Sequence, residues 1–267
     1  MTAADFDARR YWDKRLKRRW SLHGVGMVKL SHRYNRWMYR VRRFVFRRTV
    51  RTLPVDVRSS AVVDIGSGTG FYIALWQRLG ARSVNGVDIA DSAVERLRTK
   101  FPDVRFERVD VSDELPFREG EFDIVSAFDV LFHIVDDERY EQALVNIHKL
   151  LGPDGWFVFS EHFVSRKKLG AKHYVSRSRE EIGDLVQRAG FDVVSRRPGF
   201  VLMAPPYGSN HRWRWLLWNR VQLPVMKRER LGGVLGAVMF PIELLLTRVR
   251  RRTPSMEIVV CRKRSDQ

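Results

Sequence analysis

Between residues 59 and 161, short β-branched apolar runs alternate with longer stretches whose apolar positions recur every three or four residues, the pattern of strands alternating with helices. The run AVVDI at 61–65 ends in Gly-Ser-Gly-Thr-Gly ahead of a helical stretch at 71–79. Strands are predicted at 82–87, 104–109 and 122–127, with a helix at 91–100 and a long one at 136–151. A fifth strand at 155–160 follows a Gly-Pro-Asp-Gly turn, and 180–189 and 191–195 read as a helix and a sixth strand. This order predicts an α/β fold, a parallel sheet with crossover helices on its faces. No internal repeat is visible.

The pattern changes on both sides of this middle. Residues 30–53 read as one amphipathic helix: Leu30, Tyr34, Trp37, Val41, Phe44 and Val45 share a face, and Arg36, Arg40, Arg43, Arg47 and Arg51 run beside it. After the sixth strand, about 55 residues precede a candidate last strand at 256–262. They contain RWRWLLWNR (212–220) and an apolar run at 231–246, flanked by KRER and RVRRR. A membrane span needs about 20 apolar residues. This run is shorter and holds Pro241 and Glu243, so spanning is not expected.

Charge follows the same division. The balance is +13 over residues 1–58, −4 over 59–200 and +9 over 201–267. A weakly acidic middle between two basic ends points to an anionic partner: nucleic acid, lipid headgroups or a phosphorylated substrate. The single cysteine, Cys261, excludes an internal disulfide and fits a reducing compartment. The first ten residues, MTAADFDARR, lack the apolar stretch of a signal peptide, so a cytoplasmic location is expected. Globular composition and a length of 267 residues suit one α/β domain with extensions.

The candidate chemistry lies at the ends of the first strands. Gly66, Gly68 and Gly70 occupy a sharp strand-to-helix turn, where glycine permits positive φ and close approach of backbone to a ligand. A dinucleotide site prefers G-x-G-x-x-G; here the spacing is G-x-G-x-G, and the carboxylate of Asp64 suits a cationic ligand better than a pyrophosphate. Asp88 ends the next strand, 22 residues beyond Gly66, an offset at which an acid can accept both hydroxyls of a ribose. Asp110 ends the third, where it can accept from an adenine amino group. Any one of these acids alone could be a helix cap or loop residue; the three together line the carboxyl edge at which open α/β sheets bind ligands.

Taken in order, VVDIGSGTG, VDIAD, RVDVSDELPF, EFDIVSAFDVLFHI and LLGPDGWFVFSE resemble the successive motifs of the class I S-adenosylmethionine-dependent methyltransferase family, over residues 60–162. The resemblance implies a Rossmann-like seven-stranded sheet with an antiparallel last strand, here 256–262. The helical N-terminal extension is then 1–58, the cofactor-binding core 59–200, the helical insertion 201–254, and the last strand and tail 255–267. It implies S-adenosylmethionine as cofactor. Asp64, Gly66, Ser67, Gly68 and Gly70 would surround the methionine moiety, Asp88 and Ile89 the ribose, and Asp110 and Val111 the adenine, with Phe128 below the sulfonium.

Methyl transfer from a sulfonium needs mainly alignment, and a general base only if the acceptor is a hydroxyl or similar. His133, after the fourth strand, and Glu161 with His162, at the end of the fifth, are candidate bases; each can equally be a structural residue. Cytosine C5 chemistry needs a cysteine nucleophile, and methylation of exocyclic base amines usually shows Asn/Asp-Pro-Pro-aromatic where this chain has Phe128-Asp129-Val130-Leu131. Both are disfavoured, and no metal motif occurs. In this family the segment before the first strand often covers the cofactor, which makes Trp37 and Tyr39 lid candidates, and Arg36 and Arg40 candidates for an anionic group of the acceptor. The insertion reads either as a helical cap over the acceptor pocket or as an interfacial segment on anionic lipid. The expected function is O-methylation of a small or lipid-linked anionic acceptor, such as a glycan or a phosphorylated isoprenoid or lipid intermediate, by a peripheral enzyme at the cytoplasmic face of the membrane. The alternatives are an RNA methyltransferase and a non-catalytic cofactor-binding scaffold.

Overall fold

The computed structural model describes residues 6–164, 168–171 and 173–264; the first five residues of the N-terminal extension and the last three of the tail lie outside them. Seven strands form one sheet: β1 (Ala61–Ile65), β2 (Ser83–Asp88), β3 (Arg105–Arg108), β4 (Phe122–Ala127), β5 (Leu151–Glu161), β8 (Phe191–Phe200) and β9 (Met256–Lys263). Their order is β3-β2-β1-β4-β5-β9-β8. The pairs from β3 through β5 are parallel, and β9 runs antiparallel to both β5 and β8. The order reverses between β1 and β4, so a crevice opens at the carboxyl ends of these strands.

Helices cover both faces, which is why β1 is buried at every position. The period of two assigns alternate residues to two cores. Val62, Ile124, Val158 and Ile258 join one with the face of α3 (His32–Val50) and α4 (Phe71–Leu79). Val63, Val125, Phe157 and Val259 join the other with α6 (Asp137–Leu150) and α7 (Arg179–Arg188). The helix α5 (Asp91–Lys100) connects β2 to β3.

Some elements differ from the sequence expectation. Strand β8 runs to Phe200 rather than 195, because β9 pairs with it along that length across two bulges; its Pro198 is tolerated on an edge strand. The helix α1 (Ala8–Arg18) and the short α2 (Leu22–Val25) lie within the expected helical extension without having been singled out there, and the hairpin β6 (Lys168–Ala171)–β7 (Tyr174–Ser176) had no expected counterpart. The helix expected at 30–53 is α3, started by Ser31, whose hydroxyl accepts from the Tyr34 N–H.

The insertion is helical: α8 (Arg212–Leu216), a π-helical turn at 217–222, α9 (Leu223–Met226) and α10 (Glu229–Val249). The apolar run extends beyond 231–246 at both ends, with Pro241 inside the helix. Helix α10 lies along α3. The Glu229 carboxylate accepts the otherwise unpaired N–H groups of His32 and Arg33, and a Cβ at Gly236 would stand 2.5 Å from the Trp37 ring.

Candidate active site

A cavity of about 510 Å³, within the range of small-molecule sites, opens at the carboxyl edge of the sheet beside the β1–β4 reversal. Its floor is the loop after β1. Gly66 has φ +70°, and a Cβ there would lie 2.2 Å from Val130 Cγ2, so only glycine fits. The Gly68 N–H donates to Asp88 at 2.8 Å. Gly70, also at positive φ, begins α4 and packs against Phe101 and Leu97, which makes it a turn residue outside the cavity wall.

Asp64 stands beneath this loop, 1% exposed. One carboxylate oxygen accepts from the Ser126 hydroxyl at 2.7 Å and the other has no partner. Burial raises its pKa to about 7. Asp88 lines the cavity and accepts from the N–H groups of Gly68 and Ala90, at 2.8 and 2.9 Å; burial raises its pKa in spite of these bonds. Ser67, Ile89, Val111 and Phe128 also line the cavity. Asp110 does too, but its carboxylate already accepts from the Ser112 N–H and is paired at 3.0 Å with Arg139 of α6, a residue that nothing in the local sequence singles out.

A glycine cradle and, in the cavity wall beside it, an acid with lone pairs left fit a ligand that carries a ribose, as S-adenosylmethionine does; Asp64, expected at the methionine end, lies beneath the loop and outside the cavity wall. Asp88 would hold the ribose hydroxyls and the Ser67–Gly68 backbone the methionine end. Among the described residues, no group of three or more His, Cys, Asp or Glu side chains is placed to hold a metal ion.

Of the three candidate bases, only His133 lines the cavity. Its Nδ1 lies 2.6 Å from the carbonyl oxygen of His173; that oxygen can only accept, so Nδ1 carries the proton and Nε2 is left as the acceptor. Burial depresses its pKa to about 3, so the ring is neutral. Glu161 and His162 do not reach the cavity wall. Glu161 is 0% exposed and accepts from the Tyr140 hydroxyl and the His162 N–H; burial raises its pKa to about 8. His162 is sandwiched between Phe132 and Tyr207, with ring centroids at 4.2 and 4.1 Å, and burial lowers its pKa to about 4.

The cover of the cavity also differs from the expectation. Tyr39 lines it, but Arg36, Trp37 and Arg40 do not. Trp37 packs on Gly236 and Phe240 of α10, Arg40 lies over the Trp37 ring at 4.1 Å, and Arg36 is exposed. Successive residues of a helix point 100° apart, so the face that meets α10 cannot also meet the cavity. No residue of 201–254 lines the cavity, so the insertion does not cap it. Within the N-terminal segment the cover is α1, together with Tyr39 of α3. Trp12 meets the His133 ring edge-on at 4.9 Å, and the helix is held to α5 by Arg9–Asp91 and by the Ser92 N–H donating to Asp13.

Sequence reasoning also missed Arg42. It is buried on the apolar arc of α3 and donates through Nε and a terminal nitrogen to the Asp129 carboxylate, at 2.7 and 3.3 Å. Asp129 lines the cavity with φ +60°. The available signal was an arginine amid Met38, Val45 and Phe46 on the buried side of the helix.

Comparison with known proteins agrees with this geometry. A family model described as "Methyltransferase domain" matches residues 34–196. Over 110 residues the chain is 30% identical to a ubiquinone biosynthesis O-methyltransferase of Neisseria meningitidis, covering 39% of this chain and 45% of that protein. Over 118 residues it is 25% identical to a demethylmenaquinone methyltransferase of Chlorobaculum parvum, covering 44% and 47%. The match thus spans less than half the length of these curated relatives. The crystal structure of a Burkholderia thailandensis 1,6-didemethyltoxoflavin-N1-methyltransferase with bound S-adenosylhomocysteine shares the fold, with a TM-score of 0.53 at 21% identity over 85% of this chain and 79% of that one. The match to the family model and the ordered glycine–aspartate edge agree: the chain belongs to the methyltransferase-domain family, of the class I, S-adenosylmethionine-dependent kind.

Proposed function

We propose that this protein transfers a methyl group from S-adenosylmethionine to a hydroxyl of a small or lipid-linked acceptor, at the cytoplasmic face of the membrane. The observation that carries the reading is His133, a neutral imidazole in the cavity wall with its accepting nitrogen defined by the His173 carbonyl. When bound, the cofactor supplies an electrophilic methyl on sulfur. The chain aligns the acceptor oxygen against it, and His133 Nε2 takes the hydroxyl proton as the carbon–oxygen bond forms.

A histidine with its pKa near 3 is a weak base. It suits a hydroxyl that is itself acidic, such as a phenol, better than a sugar alcohol. The cavity wall supplies Tyr39, Phe71, Tyr72 and Phe128 for an aromatic or isoprenoid body. The quinone-pathway names of the relatives support the same class, and the arginine-rich ends suit an anionic group on the acceptor.

The test is transfer of labelled methyl to a panel of phenols, polyprenyl-linked phenols and phosphorylated lipids, with RNA alongside. The expected result is transfer to a phenolic acceptor and a fall in kcat of about 100-fold in His133→Ala, with S-adenosylhomocysteine affinity retained. Methylation of RNA alone would replace this reading with the nucleic-acid one. Tight cofactor binding without transfer to any class would favour a scaffold.

A further inference from the structure

Helix α10 carries two apolar faces. One, with Gly232, Gly236, Met239 and Thr247, is buried against α3 and the core. The other, Leu231, Val234, Val238, Ile242, Leu245 and Val249, recurs at three- or four-residue spacing and is 46–64% exposed along its whole length. At 1.5 Å per residue this stripe is about 27 Å long. Helix α8 and the turn after it add Trp213, Leu216, Leu217 and Val221, each 43–59% exposed. The two helical segments lie side by side, since Leu217 and Trp218 share a groove with Leu246 and Arg250.

Soluble proteins seldom leave so continuous an apolar surface open. Its charge surroundings say what covers it. Residues 212–252 hold ten Lys and Arg and two acids, Glu229 and Glu243. Glu243 is buried, accepting from the N–H groups of Val201 and Leu202, and Glu229 is engaged by the start of α3. Among the described residues none of the ten cations has an acidic partner. Lys227, Arg228 and Arg230 stand at one end of the stripe; Arg248, Arg250, Arg251 and Arg252 stand at the other.

We infer that the α8–α10 hairpin docks flat on an anionic lipid bilayer, with the stripe in the boundary between headgroups and acyl chains and the arginines at its ends on lipid phosphates. By length and composition α10 is apolar enough to cross a bilayer, but its packing along α3, whose Arg36 and Arg40 are exposed, argues for a helix lying along the surface. Two copies meeting stripe to stripe would oppose ten cations with ten, whereas anionic lipid neutralises them. This deepens the proposed function, on which it rests only for the supply of acceptor from the membrane.

The test is flotation of the full chain with phosphatidylcholine vesicles, with and without phosphatidylglycerol, alongside Val238→Glu/Leu245→Glu. Both positions are exposed and remote from the cavity, so the variant should keep its circular dichroism and its S-adenosylhomocysteine affinity. The wild type is expected to float with phosphatidylglycerol vesicles and not with phosphatidylcholine alone. The double variant should bind at least about 100-fold more weakly, from lost apolar burial and added repulsion. The inference is overturned by a wild type that ignores anionic vesicles or binds neutral ones equally, or by an undiminished variant. A dimeric wild type whose variant is monomeric would also overturn it, assigning the stripe to a second copy. None of these readouts uses an acceptor, so failure here leaves methyl transfer standing, and failure of methyl transfer leaves docking standing.

Discussion

Replacing Asp88 by asparagine should separate affinity from stability. The carboxylate accepts two backbone N–H groups, from Gly68 and Ala90, and keeps lone pairs for the two ribose hydroxyls. Asparagine keeps the shape but loses the charge and one acceptor oxygen. The loss of one charge-assisted hydrogen bond is about 1.5–3 kcal/mol, a rise of roughly 10- to 150-fold in the Kd of S-adenosylhomocysteine. Stability should move far less. Burial raises the folded pKa of Asp88, so the stability tied to its proton is present below the unfolded value and lost as pH rises through the folded one. At pH 8 the wild type bears that cost and the amide does not. But the amide NH2 must face the N–H of Gly68 or of Ala90, since each bonds a different oxygen, and losing that bond costs about 1–3 kcal/mol. The two terms oppose, so free Asp88→Asn should melt within about 4 °C of free wild type. Calorimetric titration and thermal melts at pH 8 with and without ligand measure both quantities. A change in Kd below about threefold, or a free variant melting more than about 4 °C lower, would refute the reasoning.

Two further substitutions test the loop and the buried acid. Gly66→Ala places a methyl against Val130 Cγ2 at a positive φ, and should cost about 1–3 kcal/mol and weaken cofactor binding; in denaturant unfolding, adding Val130→Ala should recover the clash but not the backbone strain, and a neutral Gly66→Ala would sink the account. Glu161 has its folded pKa raised to about 8 by burial, so its contribution is complete below pH 4.5 and lost as pH climbs through 8. Glu161→Gln should nearly match wild type near pH 5 and exceed it at pH 9 by an amount of the order of 5 kcal/mol, and parallel stability curves for the two proteins across that range would contradict the assignment.

The legible part of the site is the part written in contiguous residues. Strand, glycine turn and helix at 61–79 are specified by local geometry, since positive φ at Gly66 needs no distant partner to be recognised. The expected places of Asp88 and Asp110 came from the regular spacing of strand ends, which the alternation of apolar runs already contains. The seven-stranded sheet with its antiparallel last strand was what the resemblance to the methyltransferase family implies, and the strand order came with the structure. Charge likewise marks the two basic ends, +13 and +9, through the order of residues alone.

Which part of the N-terminal segment covers the site was not legible. Helix α1 has one fully buried side chain, Leu16, and no motif, so nothing local announces that Trp12 meets His133. The arc of α3 facing the cavity, with Tyr39, differs by one or two residues from the arc carrying Trp37 and Arg40, and only the docking of α10 decides between them. Arg42 with Asp129 and Arg139 with Asp110 pair across 87 and 29 residues.

The sequence by itself determined the sheet, the cofactor loop and the distribution of charge, because periodicity, backbone freedom and composition are properties of neighbouring residues. Tertiary structure alone decided which histidine faces the cavity, which helix closes it and which apolar face is left open, because each depends on the rotation of one packed element against another.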